Sequence, residues 1–182
     1  MTRARSLEEL LLERSVKRGD FVLASGARSS YYIDCRLTTM SAEGMALVGR
    51  LGLEAIRGAG WGPDAVGGLT MGADPVAYAI AAASWDSPPA IDAFSVRKET
   101  KGHGTGRLIE GNFAPGSRVV VIEDVITTGG SAIRAIQAVT AESGLVLGVL
   151  AVVDREQGGR PAIEALGHQV AVLTTTTTLK LA

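Results

Sequence analysis

The sequence predicts an α/β domain built on a mostly parallel, twisted sheet covered by helices on both faces. Runs of consecutive Val, Ile and Leu without polar alternation recur along the chain, which is typical of strands buried on both faces. Segments with helical periodicity separate these runs, as in βαβ units. With 182 residues, 46% of them hydrophobic, the chain has enough apolar material for one core. We therefore expect a single domain over residues 1–182.

The first forty residues predict a small N-terminal hood that contains β-structure. A capping box at Ser6–Glu9 predicts a helix that continues to about Arg18. The β-rich runs 21–23 and 31–35 follow, separated by serines and glycine that favour turns. The two runs therefore predict a short antiparallel pair beside the main sheet.

From Ser41 onward, helices and strands alternate. Ser41 caps a second helix that ends at Gly58–Gly60. The later elements are expected in this order: strand 65–69, helix 74–83, strand 90–96, strand 118–123, helix 131–143, strand 145–153, helix 161–166 and strand 169–174. Ligands of such sheets bind beyond the carboxyl ends of the strands.

The stretch from Arg97 to Asn112 is different, because it is charged, rich in glycine and without periodicity. We expect residues 97–112 to form a long mobile loop, and loops of this length inside compact domains usually have a function. A charge run of this kind is equally typical of a solvated face.

Composition excludes several classes of protein. Eighteen Lys and Arg against nineteen Asp and Glu give a net charge of −1, which predicts no nucleic-acid partner and no anionic membrane surface. Cys35 is the only cysteine, which excludes an intramolecular disulfide and fits a cytoplasmic setting. The first residues lack a signal-peptide core, and no run approaches the roughly 18 apolar residues of a membrane span.

Residues 119–131 carry the most informative motif. Four aliphatic residues are followed by two adjacent acids, two more aliphatic residues and a run of small residues that opens a helix. From the first acid onward the motif consists of Glu123, Asp124, Val125, Ile126, Thr127, Thr128, Gly129, Gly130 and Ser131. Carboxylates at a strand end can accept hydrogen bonds from sugar hydroxyls or lie near Mg²⁺. Glycines let backbone N–H groups approach an anion at the positive end of a helix. The spacing predicts a ligand with a ribose and a 5-phosphate.

Each half of this motif also has an ordinary explanation. Gly-Gly-Ser before a helix is often only a cap, and Glu-Asp at a strand end is often only solvated. Their combination in this order favours the ligand. A P-loop is excluded because the chain has no G-x-x-x-x-G-K-[ST] motif, and the glycines at 102, 104 and 106 lack the strand-to-helix context of a dinucleotide site.

Glu123–Ser131 resembles the phosphoribosyl diphosphate (PRPP) signature of the type I phosphoribosyltransferases. Within these, residues 97–104 resemble the flexible catalytic loop of the orotate phosphoribosyltransferase family. Phe21–Gly26 and Tyr31–Asp34 resemble that family's N-terminal, orotate-side region. The likeness runs from about residue 20 to 160 in the family's order.

The resemblance implies transfer of the 5-phosphoribosyl group from PRPP to orotate in pyrimidine biosynthesis, with Mg²⁺ held mainly through PRPP and no metal site of the protein's own. It implies that the diphosphate is approached by Lys101 and His103, and that other phosphates are held by Arg97 and Lys98. Asp124 would act with Glu123 on the ribose, residues 127–131 would hold the 5-phosphate, and Thr127 and Arg155 would contact orotate. The family also implies a homodimer whose loop reaches the neighbouring subunit's site.

Alternatives remain at this point. The chain would also fit a phosphoribosyltransferase for another base or a PRPP-sensing regulator without catalysis. Asp154 and Arg155 are equally consistent with a strand-end ion pair, and Tyr31 and Tyr32 with simple packing rather than walls of a base pocket. The threonine run 174–178 has β propensity and no recognisable chemistry.

The sequence departs from the better-known bacterial pattern at two positions. Ala24 stands where many members have a Lys, and residues 68–75 lack the Lys that others carry between strand and helix. A backbone cradle at Met71–Gly72 and the side chain of Arg36 are candidates to replace these two charges.

Overall fold

The computed structural model describes residues 5–22, 26, 28–99 and 108–181. Its elements in chain order are α1 (Leu7–Arg14), β1 (Val16–Val22), β2 (Arg28–Ile33), α2 (Arg36–Thr39), α3 (Ala42–Gly58), β3 (Ala65–Leu69), α4 (Ala73–Trp85), β4 (Asp92–Val96), β5 (Ile109–Gly111), β6 (Arg118–Ile126), α5 (Gly130–Ala141), β7 (Leu145–Asp154), α6 (Gly159–Glu164) and β8 (Val170–Thr175). The main sheet has the strand order β5-β4-β3-β6-β7-β8, in which every neighbouring pair except β4–β5 is parallel. The predicted fold class is confirmed.

Helices cover both faces of the sheet because its strands are apolar on both. Successive strand residues point to opposite faces. In β6, Val120 and Ile122 pack with α3 and α4 in one core cluster. Val119 and Val121 pack with α5 in the other cluster. The continuous aliphatic run therefore fills two cores at once.

The N-terminal hood contains the expected antiparallel pair, β1 with β2. Its capping box is also present, since Ser6 Oγ accepts a hydrogen bond from the Glu9 N–H and the Glu9 carboxylate accepts one from the Ser6 N–H. The prediction that the first helix continues to about Arg18 is wrong. The helix ends at Arg14 because β1 begins at Val16, where it pairs with Ile33. Long-range strand pairing here overrides local helix propensity.

The expected loop is shorter than 97–112, because residues 109–111 form the edge strand β5. Ile109 pairs with Val96, and the Arg97 N–H donates to the Leu108 carbonyl at 2.8 Å. The segment between them therefore starts and ends at the carboxyl end of β4. Residues 100–107 lie outside the described part of the chain.

Strand β6 extends three residues beyond the predicted end at Glu123, because Val125 pairs with Val153 and Ile126 with Asp154 of β7. The acid pair is consequently part of strand β6. Arg155 comes directly after Asp154, the last residue of the adjacent strand β7. Both lie at the carboxyl edge of the sheet, where ligands of such sheets bind. Over the described residues, no helix is long and apolar enough to cross a membrane.

Candidate active site

The acid pair differs in exposure. Glu123 is buried, with 6% of its surface exposed, whereas Asp124 is half-buried. Burial and the neighbouring Asp124 raise the pKa of the Glu123 carboxyl well above its usual range. Asp124 Oδ1 accepts a hydrogen bond from the Val125 N–H at 2.9 Å. A proton on Glu123 is thus retained to higher pH than on an ordinary glutamate.

Gly72, directly before α4, lies against the Asp124 carboxylate. A Cβ at this glycine would be 2.5 Å from Asp124 Oδ1 and 2.7 Å from Cγ. Any side chain at position 72 would therefore displace the Asp124 carboxylate. Gly72 and Met71 line the same cavity as Asp124, so the backbone of this turn faces the site.

The small-residue loop after β6 forms the N-terminus of α5. Gly129 has a left-handed φ of +83° as the residue before the helix, a conformation that favours glycine. Gly159 packs against the loop so closely that a Cβ there would be 2.5 Å from the Thr127 carbonyl oxygen. The loop encloses a cavity of ≈ 450 Å³ lined by Glu123, Val125, Ile126, Thr127, Thr128, Gly129, Gly130, Ser131 and Arg134. Arg134 is not among the residues predicted from the sequence.

A second cavity of ≈ 400 Å³ adjoins the first, and both are lined by Glu123, Val125, Thr127 and Ser131. Among the predicted residues it adds Lys98, Asp124 and Arg155. Arg97 does not line either cavity; its Nε donates to Glu110 Oε1 at 3.0 Å. The two cavities together form one compartment, lined by the small-residue loop and Arg134 in one half and by Asp124 and Arg155 in the other.

Arg155 is a buried cation with 8% of its surface exposed. Its Nε and Nη2 atoms have no hydrogen-bond partner among the described residues. The alternative of an ion pair with Asp154 is not what the structure contains, because Asp154 Oδ1 accepts the Glu156 N–H at 2.8 Å instead. Unpaired buried donors are costly, so this guanidinium is suited to an anionic group entering the cavity.

The hood supplies the wall opposite the strand ends. The Tyr31 ring lies under the guanidinium, with Arg155 Cζ 5.0 Å from the ring centroid, and Tyr32 lines the cavity. Arg36 also lines it, paired through two hydrogen bonds of 2.8 and 3.0 Å with Asp34. This pair lowers the pKa of the Asp34 carboxyl. Lys101, His103 and Ala24 lie outside the described residues.

Comparison with known proteins agrees with this geometry. Residues 40–165 match the family model described as "Phosphoribosyl transferase domain". The chain is 51% identical to "Orotate phosphoribosyltransferase" of Aquifex aeolicus over 172 residues, 92% of each chain. It is 49% identical to that of Mycobacterium tuberculosis H37Rv over 161 residues, 88% of this chain and 87% of the relative. The chain belongs to the orotate phosphoribosyltransferase family.

Solved structures of the family give the same result. A crystal structure of the M. tuberculosis orotate phosphoribosyltransferase with PRPP matches with a TM-score of 0.81 at 43% identity, covering 96% of this chain and 97% of that one. The same enzyme with Fe(III) dicitrate gives a TM-score of 0.86 at 46% identity, with 96% and 97% covered. An adenine phosphoribosyltransferase from Leishmania donovani, 16% identical with a TM-score of 0.66, shares the fold alone.

Proposed function

We propose that this chain transfers the 5-phosphoribosyl group of PRPP to orotate, forming orotidine 5′-monophosphate and diphosphate in pyrimidine biosynthesis. The observation that carries the proposal is the buried Arg155, unpaired among the described residues, in a cavity that it shares with the acid pair. A guanidinium matches a carboxylate through two parallel hydrogen bonds. Orotate carries such a carboxylate, whereas purine bases and uracil do not.

The phosphoribosyl half of PRPP fits the first cavity. Backbone N–H groups of residues 127–131, at the positive end of α5, would hold the 5-phosphate. Glu123 and Asp124 would accept hydrogen bonds from the ribose hydroxyls. The negative charge of Asp124 favours the cationic character that the sugar develops as its bond to diphosphate breaks.

The reaction itself is a displacement at the anomeric carbon. A ring nitrogen of orotate loses its proton to solvent and forms the new bond to this carbon, and the bond to the diphosphate oxygen breaks with its electron pair leaving on diphosphate. Arg155 and Thr127 would orient the base for this attack. Lys101 and His103 would stabilise the charge of the leaving group, and Arg97 and Lys98 would hold other phosphates of PRPP.

Mg²⁺ is the proposed cofactor. In the described part of the chain, no group of three or more His, Cys, Asp or Glu side chains is arranged to hold a metal ion. Glu123 and Asp124 nevertheless place carboxylate oxygens, which Mg²⁺ prefers, beside the cavity. This donor set fits an ion that arrives with the phosphates of PRPP, where it would neutralise charge on the leaving group.

A homodimer in the cytoplasm completes the proposal, with the segment between β4 and β5 shared between subunits. One exposed face of α4 supports it. Tyr78, Ala82 and Trp85 lie on this face at helical spacing, and the two aromatic residues are 51% and 78% exposed. Aromatic residues so exposed are typical of a surface that another protein covers.

The deciding experiment follows the loss of orotate absorbance in the presence of PRPP and Mg²⁺. Parallel assays follow the release of diphosphate with adenine, hypoxanthine or uracil in place of orotate, and binding of PRPP is measured separately. We expect turnover with orotate alone. Turnover with a purine instead would indicate a phosphoribosyltransferase for another base. Binding of PRPP without turnover of any base would indicate a regulator.

Arg134 is a further proposed contact of the 5-phosphate. It follows Ser131 by three positions in α5, so both side chains share one helix face, and helical side chains lean toward the N-terminus. Arg134→Ala should raise the KM for PRPP about tenfold, because the variant loses a charged hydrogen bond to the phosphate at a position that is exposed to solvent. Steady-state kinetics with Gln137→Ala, exposed one turn further on, is the matched control.

The same variant has a second readout. Arg134 lies close enough to Glu123 to oppose the rise of its pKa. Removing the cation should therefore move the acidic limb of the activity profile to higher pH.

Inhibition of the Arg134→Ala variant by ribose 5-phosphate should be weaker than that of the wild type, whereas inhibition by diphosphate should be unchanged. Weaker inhibition by both compounds would argue against a 5-phosphate contact.

A further inference from the structure

The C-terminal threonine run, which has no recognisable chemistry in the sequence, packs against the turn that carries Arg155. The Thr176 N–H donates to the Asp154 carbonyl at 3.0 Å. Thr176 Oγ1 lies 2.8 Å from Glu156 Oε2 and 3.2 Å from the Arg155 carbonyl, so its single proton is shared between two acceptors. The Thr177 N–H donates to the same Glu156 oxygen at 2.7 Å. Both ends of the turn are thus bonded to one short segment.

Glu156 occupies this turn in a conformation that it would not adopt by itself. Its φ is +57°, in the left-handed region that disfavours residues with a Cβ. Such conformations persist where the surroundings determine them. Although Glu156 is exposed, its carboxylate is engaged with the chain, and hydrogen bonds from Thr177 lower its pKa.

Arg155 lies between these anchors. Its N–H donates to the Ile126 carbonyl at 2.9 Å, and its own carbonyl accepts from Thr176. With the backbone held on both sides, the direction of the Cα–Cβ bond of Arg155 is fixed. That direction brings the guanidinium over the Tyr31 ring and into the cavity wall.

We propose that Thr176 and Glu156 are positioning residues for Arg155, and that they set the strength with which the site holds the carboxylate of its pyrimidine substrate. This inference rests on the role proposed for Arg155 above. A planar guanidinium forms two parallel hydrogen bonds with a carboxylate only when the two groups are aligned. A small rotation of the turn therefore weakens binding of the pyrimidine substrate and leaves the residues proposed to bind PRPP in place.

Thr176→Val tests the inference with almost no change in shape. The loss of this hydroxyl should raise the KM for orotate about three- to tenfold, the range for one typical hydrogen bond, and leave the KM for PRPP unchanged. Thr178→Val is the matched control, because the exposed Thr178 hydroxyl contacts Thr175 and no atom of the turn. A purely structural role would lower the unfolding temperature and affect both substrates alike, and that result would overturn the inference.

A second pair of variants does not depend on the buried Thr176. Glu156→Ala should show the same selective rise in the KM for orotate, since the exposed side chain can be removed without a cavity. Glu156→Gln should recover most of the loss, because its amide oxygen still accepts from Thr177.

Arg155→Ala separates failure of the inference from failure of the proposed function. If Arg155→Ala raises the KM for orotate but Thr176→Val and Glu156→Ala do not, the positioning role is wrong and the proposed function stands. If Arg155→Ala leaves the KM for orotate unchanged, the assignment of Arg155 fails and the inference with it.

Discussion

Replacing Arg155 by alanine will raise the KM for orotate by about thirtyfold or more, with little change in the KM for PRPP. The basis is the cost of about 2–5 kcal/mol for leaving one member of a buried charged pair without its partner. Arg155 is buried, and two of its nitrogens lack a partner in the described structure, so its donors are free for substrate. Steady-state kinetics with each substrate varied in turn measures the split.

Two further variants sharpen this result. Arg155→Lys keeps the charge but not the fork, so its KM for orotate should lie between those of the wild type and Arg155→Ala. Arg160→Ala is the control, because the exposed Arg160 pairs with Glu164 one turn along α6 and lines neither cavity of the site. Equal increases in both KM values for Arg155→Ala would reject a contact with the base and indicate a general disturbance of the site.

Loss of Arg155 should cost the fold little. The guanidinium makes no hydrogen bond from Nε or Nη2 within the described chain, and a buried donor without a partner is itself unfavourable. Its contact with the Tyr31 ring joins two buried groups and contributes about 2 kcal/mol, which is similar in size and opposite in sign to the cost of the unpaired donors. The unfolding temperature of Arg155→Ala should therefore stay close to that of the wild type, so that the kinetic change reports on binding.

The part of the candidate site whose placement follows from local sequence patterns is contiguous in the chain. Residues 123–131 lie at a strand end and at the following helix N-terminus, and both are local patterns. Arg134 was missed although a local signal existed, since three positions after Ser131 means the same helix face. The predicted first helix is too long because nothing in the sequence near Val16 indicates that Val16 pairs with Ile33.

Other features depend on contacts between distant segments. The packing of Thr176 on the turn at Arg155 follows from the parallel pairing of β7 with β8, in which Asp154 lies opposite Thr175. Nothing in a run of five threonines predicts this neighbour. Likewise, Arg155 itself was assigned only through the family resemblance, because its environment is formed by Tyr31 of the hood and by the end of β6.

Gly72→Ala will reduce turnover about a hundredfold in a protein that remains folded. The new Cβ would lie 2.5 Å from Asp124 Oδ1, which is shorter than a van der Waals contact, so one of the two groups must move. The backbone at Gly72 has φ −66°, which alanine adopts readily, so the carboxylate moves rather than the turn. A displacement of about 1 Å at a reacting group is sufficient for a hundredfold loss. The measurement is kcat together with the unfolding temperature.

The control for this substitution is Gly58→Ala. A Cβ at Gly58, the last residue of α3, meets no atom within 4 Å, so both activity and fold should be retained. Any loss in Gly72→Ala is then a property of its position and not of replacing a glycine.

A double variant shows whether Gly72 acts through Asp124. Asp124→Asn alone should lower kcat about 10²–10³-fold, as for removal of one group that stabilises transition-state charge. If Gly72→Ala acts only by displacing this carboxylate, adding it to Asp124→Asn should cost little more. Independent effects would multiply to about 10⁴–10⁵-fold. Such a product would mean that Gly72 serves the reaction by itself, through the backbone that it exposes to the cavity, and that its contact with Asp124 is incidental.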